Sequence, residues 1–231
     1  MKKRMVCIFL TVVCLLLTIA GYNPWKVSAT VGTFRYFSLT SAIPNTNRTQ
    51  ILDEFYDRGY TKSSKLYPTP SEVVSGLKSA KISYIHGHGN PGLIACQNSS
   101  GATIGYMYSN TLRNSASSNA YLGSLSSASL NAEQLVVYIT CYSASSEGSY
   151  TSMGQETVNR GARSAIGFNN SVVQGEYWAY FLTLGLCDDR TVKSAMSYAD
   201  SEYKKFNATN AADWGSPTYG HVFFGTNDFI S

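Results

Sequence analysis

From residue 33 onward the chain alternates between short apolar runs and stretches whose apolar positions recur with the spacing of a helix. The clearest stripe lies in 191–205, where Val192, Ala195, Met196, Ala199 and Tyr203 fall at i, i+3, i+4, i+7 and i+11 and share one face. Thr69-Pro70-Ser71-Glu72 has the Thr-x-x-Glu spacing of a capping box, with proline at the first helical position where its missing N–H costs nothing. A helix starts there and buries Val73, Val74 and Leu77. Further helices are predicted over 47–58, with Ile51, Leu52 and Phe55 inward and Gly59 as its stop, over 152–160 ending at Gly161, and around 176–184. Strands are predicted over 33–39, 81–85, 135–140, 164–168 and 221–224. The run LVVYIT at 135–140 is apolar almost throughout, as expected of a strand buried on both faces of a parallel sheet.

This alternation predicts an α/β domain, a three-layer α-β-α sandwich with a mainly parallel sheet. The exception is 98–131, dense in Ser, Asn, Gly and Ala and long for a connection. It is read as an insertion, either a small extra hairpin with weak alternation over 103–108 or a mobile surface loop.

The first 29 residues follow a different pattern. Lys2, Lys3 and Arg4 precede an apolar stretch over 5–20, and Val27-Ser28-Ala29 supplies the small residues that a signal peptidase reads. Cleavage after Ala29 is expected, leaving 30–231 as a single secreted, extracellular domain. The apolar stretch is shorter than the roughly 20 residues that spanning requires, and no other segment approaches that length, so no membrane span is expected in the mature chain.

Loss of the leader changes the charge. Four of the 18 basic residues leave with it and all 14 acidic ones stay, so the formal charge falls from +4 to zero. A balanced chain without a Lys/Arg cluster argues against nucleic acid as a partner. Cys7 and Cys14 lie in the leader, and the remaining Cys96, Cys141 and Cys187 are odd in number. At least one thiol is then free or shared between chains, and a disulfide framework is excluded.

Candidate chemistry lies at two strand ends. Residues 84–92 read YIHGHGNPG, which sets His86 and His88, two of three histidines in the chain, among three glycines at the end of an apolar run. Cys141 follows LVVYIT directly. Sites in open parallel sheets form at the carboxyl ends of strands, and neighbouring strands lie about 4.8 Å apart. If these two strands are neighbours, a thiol and an imidazole come within reach, the minimum for nucleophilic attack on a carbonyl with proton transfer. Gly87 and Gly89 leave room for a substrate backbone and can turn N–H groups toward an oxyanion. Taken singly, a cysteine after an apolar strand is most often a small buried hydrophobe, and glycine after histidine marks a turn as readily as a site. Their joint placement, each directly after a strand, is what points to chemistry.

An apolar run ending in His-Gly, followed some fifty residues later by an apolar run ending in cysteine, resembles the caspase-hemoglobinase fold of cysteine peptidases, which includes caspases, legumain, clostripain, gingipains and the CHAT-domain proteases. MGQETVNRGARSAIGFNNSV at 153–172 is similar to the helix, Gly-Ala turn and strand that follow the nucleophile in the bacterial members, and DRTVKSAMSYAD at 189–200 to their later helix. The resemblance implies a secreted bacterial cysteine endopeptidase acting on protein or peptide substrates through a Cys-His dyad; some relatives bind calcium, but no acidic cluster here asks for it, and no cofactor or metal is expected. It makes Cys141 the nucleophile and His88 the group that protonates the leaving amine, with the backbone N–H groups of Cys141 and Gly89 as the oxyanion hole. The Gly-His-Gly of bacterial members selects His88, whereas the caspase-type spacing selects His86. Relatives are often cleaved between the two strands, and Arg113 is the matching candidate here. Cys96, after the shorter run Leu93-Ile94-Ala95, is read as structural or as a partner for Cys187, and Glu147 as a solvated loop carboxylate.

Rival readings remain. HGNPG also resembles the oxyanion loop of α/β-hydrolase-type acyl hydrolases, but a nucleophile elbow needs glycines two residues either side, and Ile139 and Ser143 flank Cys141. A zinc site on His86 and His88 lacks further ligands at suitable spacing. A secreted non-catalytic binding domain would suit the 17 tyrosines and abundant Ser and Asn.

Overall fold

The runs most apolar in sequence lie at the centre of the fold. The computed structural model describes residues 31–41, 46–110, 116–208, 216–218 and 220–230. In chain order the elements are β1 (Thr33–Ser38), α1 (Arg48–Asp57), β2 (Thr61–Leu66), α2 (Pro70–Leu77), β3 (Ile82–His86), β4 (Gly89–Asn90), β5 (Leu93–Gln97), β6 (Thr103–Tyr108), β7 (Ala120–Tyr121), a 3-10 turn (Leu122–Ser124), β8 (Leu135–Ile139), α3 (Met153–Asn159), β9 (Ser164–Phe168), α4 (Gly175–Cys187), α5 (Val192–Phe206) and β10 (His221–Gly225). The predicted leader, residues 1–29, and Arg113 lie outside the described residues. Among the described residues no helix is long and apolar enough to cross a membrane.

A six-stranded sheet runs in the order β10-β9-β8-β3-β1-β2. Every neighbouring pair is parallel except β10 with β9. β3 and β8 sit in the middle, and all ten of their residues are buried. Side chains alternate between two faces. Phe34, Tyr36, Ile82, Tyr84, Leu135, Val137 and Ile139 pack on α1, α4 and α5. Phe37, Leu39, Ile85, Val136 and Tyr138 pack on the other side against α2, α3 and a smaller sheet. The main sheet is thus sandwiched between two layers, as its alternating sequence predicts.

Local signals place the helices. Thr69 Oγ1 accepts the Glu72 N–H at 3.3 Å while a Glu72 carboxylate oxygen accepts the Thr69 N–H at 2.8 Å, completing the capping box of α2. Ser152 caps α3 through the Gln155 N–H at 3.1 Å. The five residues of the α5 stripe are all buried.

Two features depart from the sequence reading. β2, TKSSKL, carries no apolar pattern because it is the sheet's outer strand and most of its residues are exposed. The insertion is larger than a hairpin within 98–131. A second sheet, ordered β4-β5-β6-β7, begins at Gly89, and β5 and β6 form its antiparallel pair. Leu93–Gln97 alternates half-buried and buried residues, with Ile94 and Cys96 facing the core, so this short run is a one-face strand.

Candidate active site

β3 and β8 are adjacent and parallel, with His86 opposite Ile139. The ladder ends there; continued by two residues along each strand it would set His88 level with Cys141, and among the described residues the hydrogen-bond contacts of the Cys141 sulfur are with Val172 and not with His88. The strands stay together past the end of the ladder, because the Gly87 N–H reaches the Ile139 carbonyl at 3.4 Å. A Cβ at Gly89 would overlap the Cys141 carbonyl oxygen, and a Cβ at Gly87 would sit 2.9 Å from the Leu39 Cβ. Both glycines are therefore required for close approach of chain to chain, in addition to any room they leave for a substrate.

Cys141 is half-buried. The Val172 N–H, in the loop after β9, points at its Sγ at 3.3 Å, and the Val172 carbonyl oxygen lies 4.0 Å from the sulfur. The chain then turns sharply: Tyr142 has φ 55°, a left-handed conformation uncommon for a residue with a side chain. That turn is pinned to the end of β9 by Tyr142 N–H to Asn170 O at 3.0 Å and Ala144 N–H to Phe168 O at 2.9 Å. Ser143 adds a third tie, donating its hydroxyl to Thr140 O at 3.0 Å and accepting the Phe168 N–H at 3.1 Å.

The two histidines occupy different environments. His88 is exposed, and its carbonyl accepts the Ala95 N–H at 3.0 Å. That bond makes the next pair, Gly89 with Ile94, a non-hydrogen-bonded one, so the Gly89 N–H points away from β5. The Cys141 N–H makes no backbone hydrogen bond among the described residues. His86 is 2% exposed and its Nδ1 has no hydrogen-bond partner. Its ring stands edge-on to Tyr36, with centroids 6.4 Å apart. Burial, aided by the neighbouring His88, lowers the His86 pKa to about 4, so its imidazole stays neutral near pH 7. The solvent-reachable imidazole beside the thiol's strand is that of His88.

Val172 and other groups near this edge of the sheet carry no sequence signal for a site. Val172 acts through its backbone, which any residue could supply. Glu176, in the first turn of α4, is 4% exposed with one carboxylate oxygen unpartnered, and burial raises its pKa. His221 opens β10 opposite Phe168, at the same end of the sheet as Cys141 but two strands from β8. It is held by Asp200, whose Oδ2 lies 2.9 Å from Nε2, and its ring stacks on Trp178, which donates to Asp200 Oδ1 at 2.7 Å. This trio ties α5 and α4 to β10.

Among the described residues, Cys96, Cys141 and Cys187 are all free. Cys96 and Cys187 belong to cores on opposite faces of the main sheet, which corrects their reading as partners, since a disulfide needs Cα atoms within about 7 Å. Glu147 sits on an exposed turn bridged to Tyr150. Among the described residues no three His, Cys, Asp or Glu side chains converge as metal ligands would. No protein-family model matches the chain, and neither does any curated protein sequence.

Proposed function

We propose that the chain is a secreted cysteine endopeptidase of caspase-like fold, with Cys141 as nucleophile and His88 as its acid-base partner. The observation that carries this reading is the pairing of β3 with β8, which brings the ends of the histidine and cysteine segments level at the carboxyl edge of a parallel sheet. His88 takes the thiol proton, the sulfur attacks the peptide carbonyl, and the oxyanion that forms is met by the N–H groups of Gly89 and Cys141. Collapse of the tetrahedral intermediate breaks the C–N bond, and the amine leaves with the proton held by His88. Water then hydrolyses the thioester. His86, neutral and buried, supports the strand end and takes no part in proton transfer.

The elbow of an α/β-hydrolase receives less support, because the left-handed residue is Tyr142 rather than Cys141 itself. The test is a fluorogenic peptide panel varied at the residue before the cut, run on wild type, Cys141→Ala, His88→Ala and His86→Ala. Cleavage that survives Cys141→Ala, or is lost with His86→Ala and kept with His88→Ala in folded protein, overturns the assignment.

A further inference from the structure

The loop that joins β9 to α4, Asn169 to Gln174, carries two adjacent valines where a surface connection is ordinarily polar. They have opposite fates. Val172 faces inward, since a Cβ built on Gly175 would sit 2.6 Å from its Cγ1 and 2.8 Å from the Ile139 Cγ2. Val173 is 59% exposed, and every other valine among the described residues is buried or half-buried.

The next residue fixes what lies beside it. Gln174 Oε1 accepts hydrogen bonds from Asn207 Nδ2 at 2.7 Å and from the Tyr203 hydroxyl at 3.3 Å, tying the loop to the end of α5. Gly185 packs on Ala195 while Tyr177 meets Phe206, so α4 and α5 run antiparallel and the end of α5 stands next to the start of α4. Phe206, 55% exposed, stacks on Tyr177 with centroids 4.7 Å apart and meets Phe181 edge-on at 6.0 Å. The result is an apolar ledge whose rings hold one another in place. Clusters of exposed apolar side chains mark places where a further apolar group is received. This one is continuous with the thiol, because the Val172 N–H points at Cys141 Sγ at 3.3 Å and Val173 follows directly. An extended peptide advances roughly 3.3 Å per residue, so side chains about two to four residues from the attacked carbonyl come level with the ledge. Lys204 and Lys205 lie in the same last turn of α5, which makes an acidic side chain the alternative that an experiment must separate.

We propose that Val173, Tyr177 and Phe206 select the substrate: a peptide with an aromatic or large aliphatic side chain about two to four residues from the bond that is cut. This inference rests on the peptidase reading of Cys141 and adds the substrate class to it.

The test uses internally quenched peptides in which one position at a time, within four residues of the cut on either side, is Phe, Leu, Ser or Asp. Wild type is expected to cleave the Phe and Leu peptides at least about tenfold better in kcat/KM than the Ser and Asp peptides at one position. Phe206→Ser and Val173→Ser should bring that ratio to within about threefold, through KM rather than kcat, and Phe206→Leu should keep most of it. Both side chains are more than half exposed, so the thermal midpoints should stay near wild type. If a serine variant nonetheless unfolds, the wild-type ratio decides, and a value near one refutes the ledge. No apolar preference at any position, a preference for Asp, or a Phe preference that survives both serine substitutions overturns the proposal and leaves the peptidase reading standing. A dimer in solution that Phe206→Ser dissociates would assign the ledge to a second copy and likewise overturns it. If wild type cuts none of the peptides, the nucleophile assignment fails, and anisotropy of labelled peptides on Cys141→Ala judges the ledge separately: tighter binding of Phe over Ser that is lost with Phe206→Ser supports it, and equal binding refutes it.

Discussion

Replacing His86 with glutamine is expected to make the fold less sensitive to acid. The native chain binds a proton at His86 only near pH 4, whereas the unfolded chain binds it near 6.5. Between these values the unfolded state holds more protons, so acid favours unfolding. Stability linked to this group is complete above pH 6.5 and is lost as the pH falls toward 4. A separation of about 2.5 pH units at 1.36 kcal/mol per unit corresponds to roughly 3 kcal/mol, a large fraction of the 5–15 kcal/mol that holds a typical domain. Glu133 and Glu176 act with the opposite sign, because burial raises their pKa values and their native forms gain protons first on acidification. The informative quantity is therefore the difference between wild type and His86→Gln at each pH, in which the carboxyl contributions cancel. Urea unfolding followed by tryptophan fluorescence from about pH 7.5 to 4.5 should show the variant gaining roughly 2–3 kcal/mol relative to wild type. A difference that stays constant across that range would refute the assignment of a buried, neutral imidazole.

Other outcomes follow from the cleft and the thiols. Cys141→Ala should reduce peptide cleavage to background, and His88→Ala should lower kcat/KM by about 10²–10⁴ while the thermal midpoint of either variant stays close to wild type; His88→Ala kinetics like wild type would remove this residue from the site. Cys96 and Cys187, both pushed up to about 12, should alkylate far more slowly at neutral pH than Cys141, and equal rates measured by peptide mapping would contradict a catalytic thiol. Gly89→Ala drives a methyl group into backbone at Cys141, where no rotamer change can relieve it, so cleavage should fall at least about 100-fold together with the melting temperature. Unchanged kinetics in that variant would mean the two strand ends are further apart than described.

The sequence was most legible where burial is one-sided or complete. The α5 stripe and the Thr69–Glu72 box translate directly into a helix face and a cap, because spacing alone determines which side chains meet. LVVYIT reads as a central strand because both of its faces are covered. β2 was illegible for the converse reason: the outer strand of a sheet faces water, and Ser63, Ser64 and Lys65 carry no periodic trace of their partner β1. At the cleft, residue types marked Cys141, His86 and His88, but only pairing and burial separate the two imidazoles. The contribution of Val172 is a backbone N–H, which leaves no mark in residue type. Cys96 and Cys187 look interchangeable along the chain and differ only in which side of the sheet they occupy.

The strand that leads to Cys141 is inserted between β3, from earlier in the chain, and β9, from later. The segments that carry the sulfur and the imidazole are about fifty residues apart in the chain and become neighbours only through the pairing of β8 with β3. On the proposed assignment, a chain whose β8 has not yet paired with β3 holds no assembled dyad.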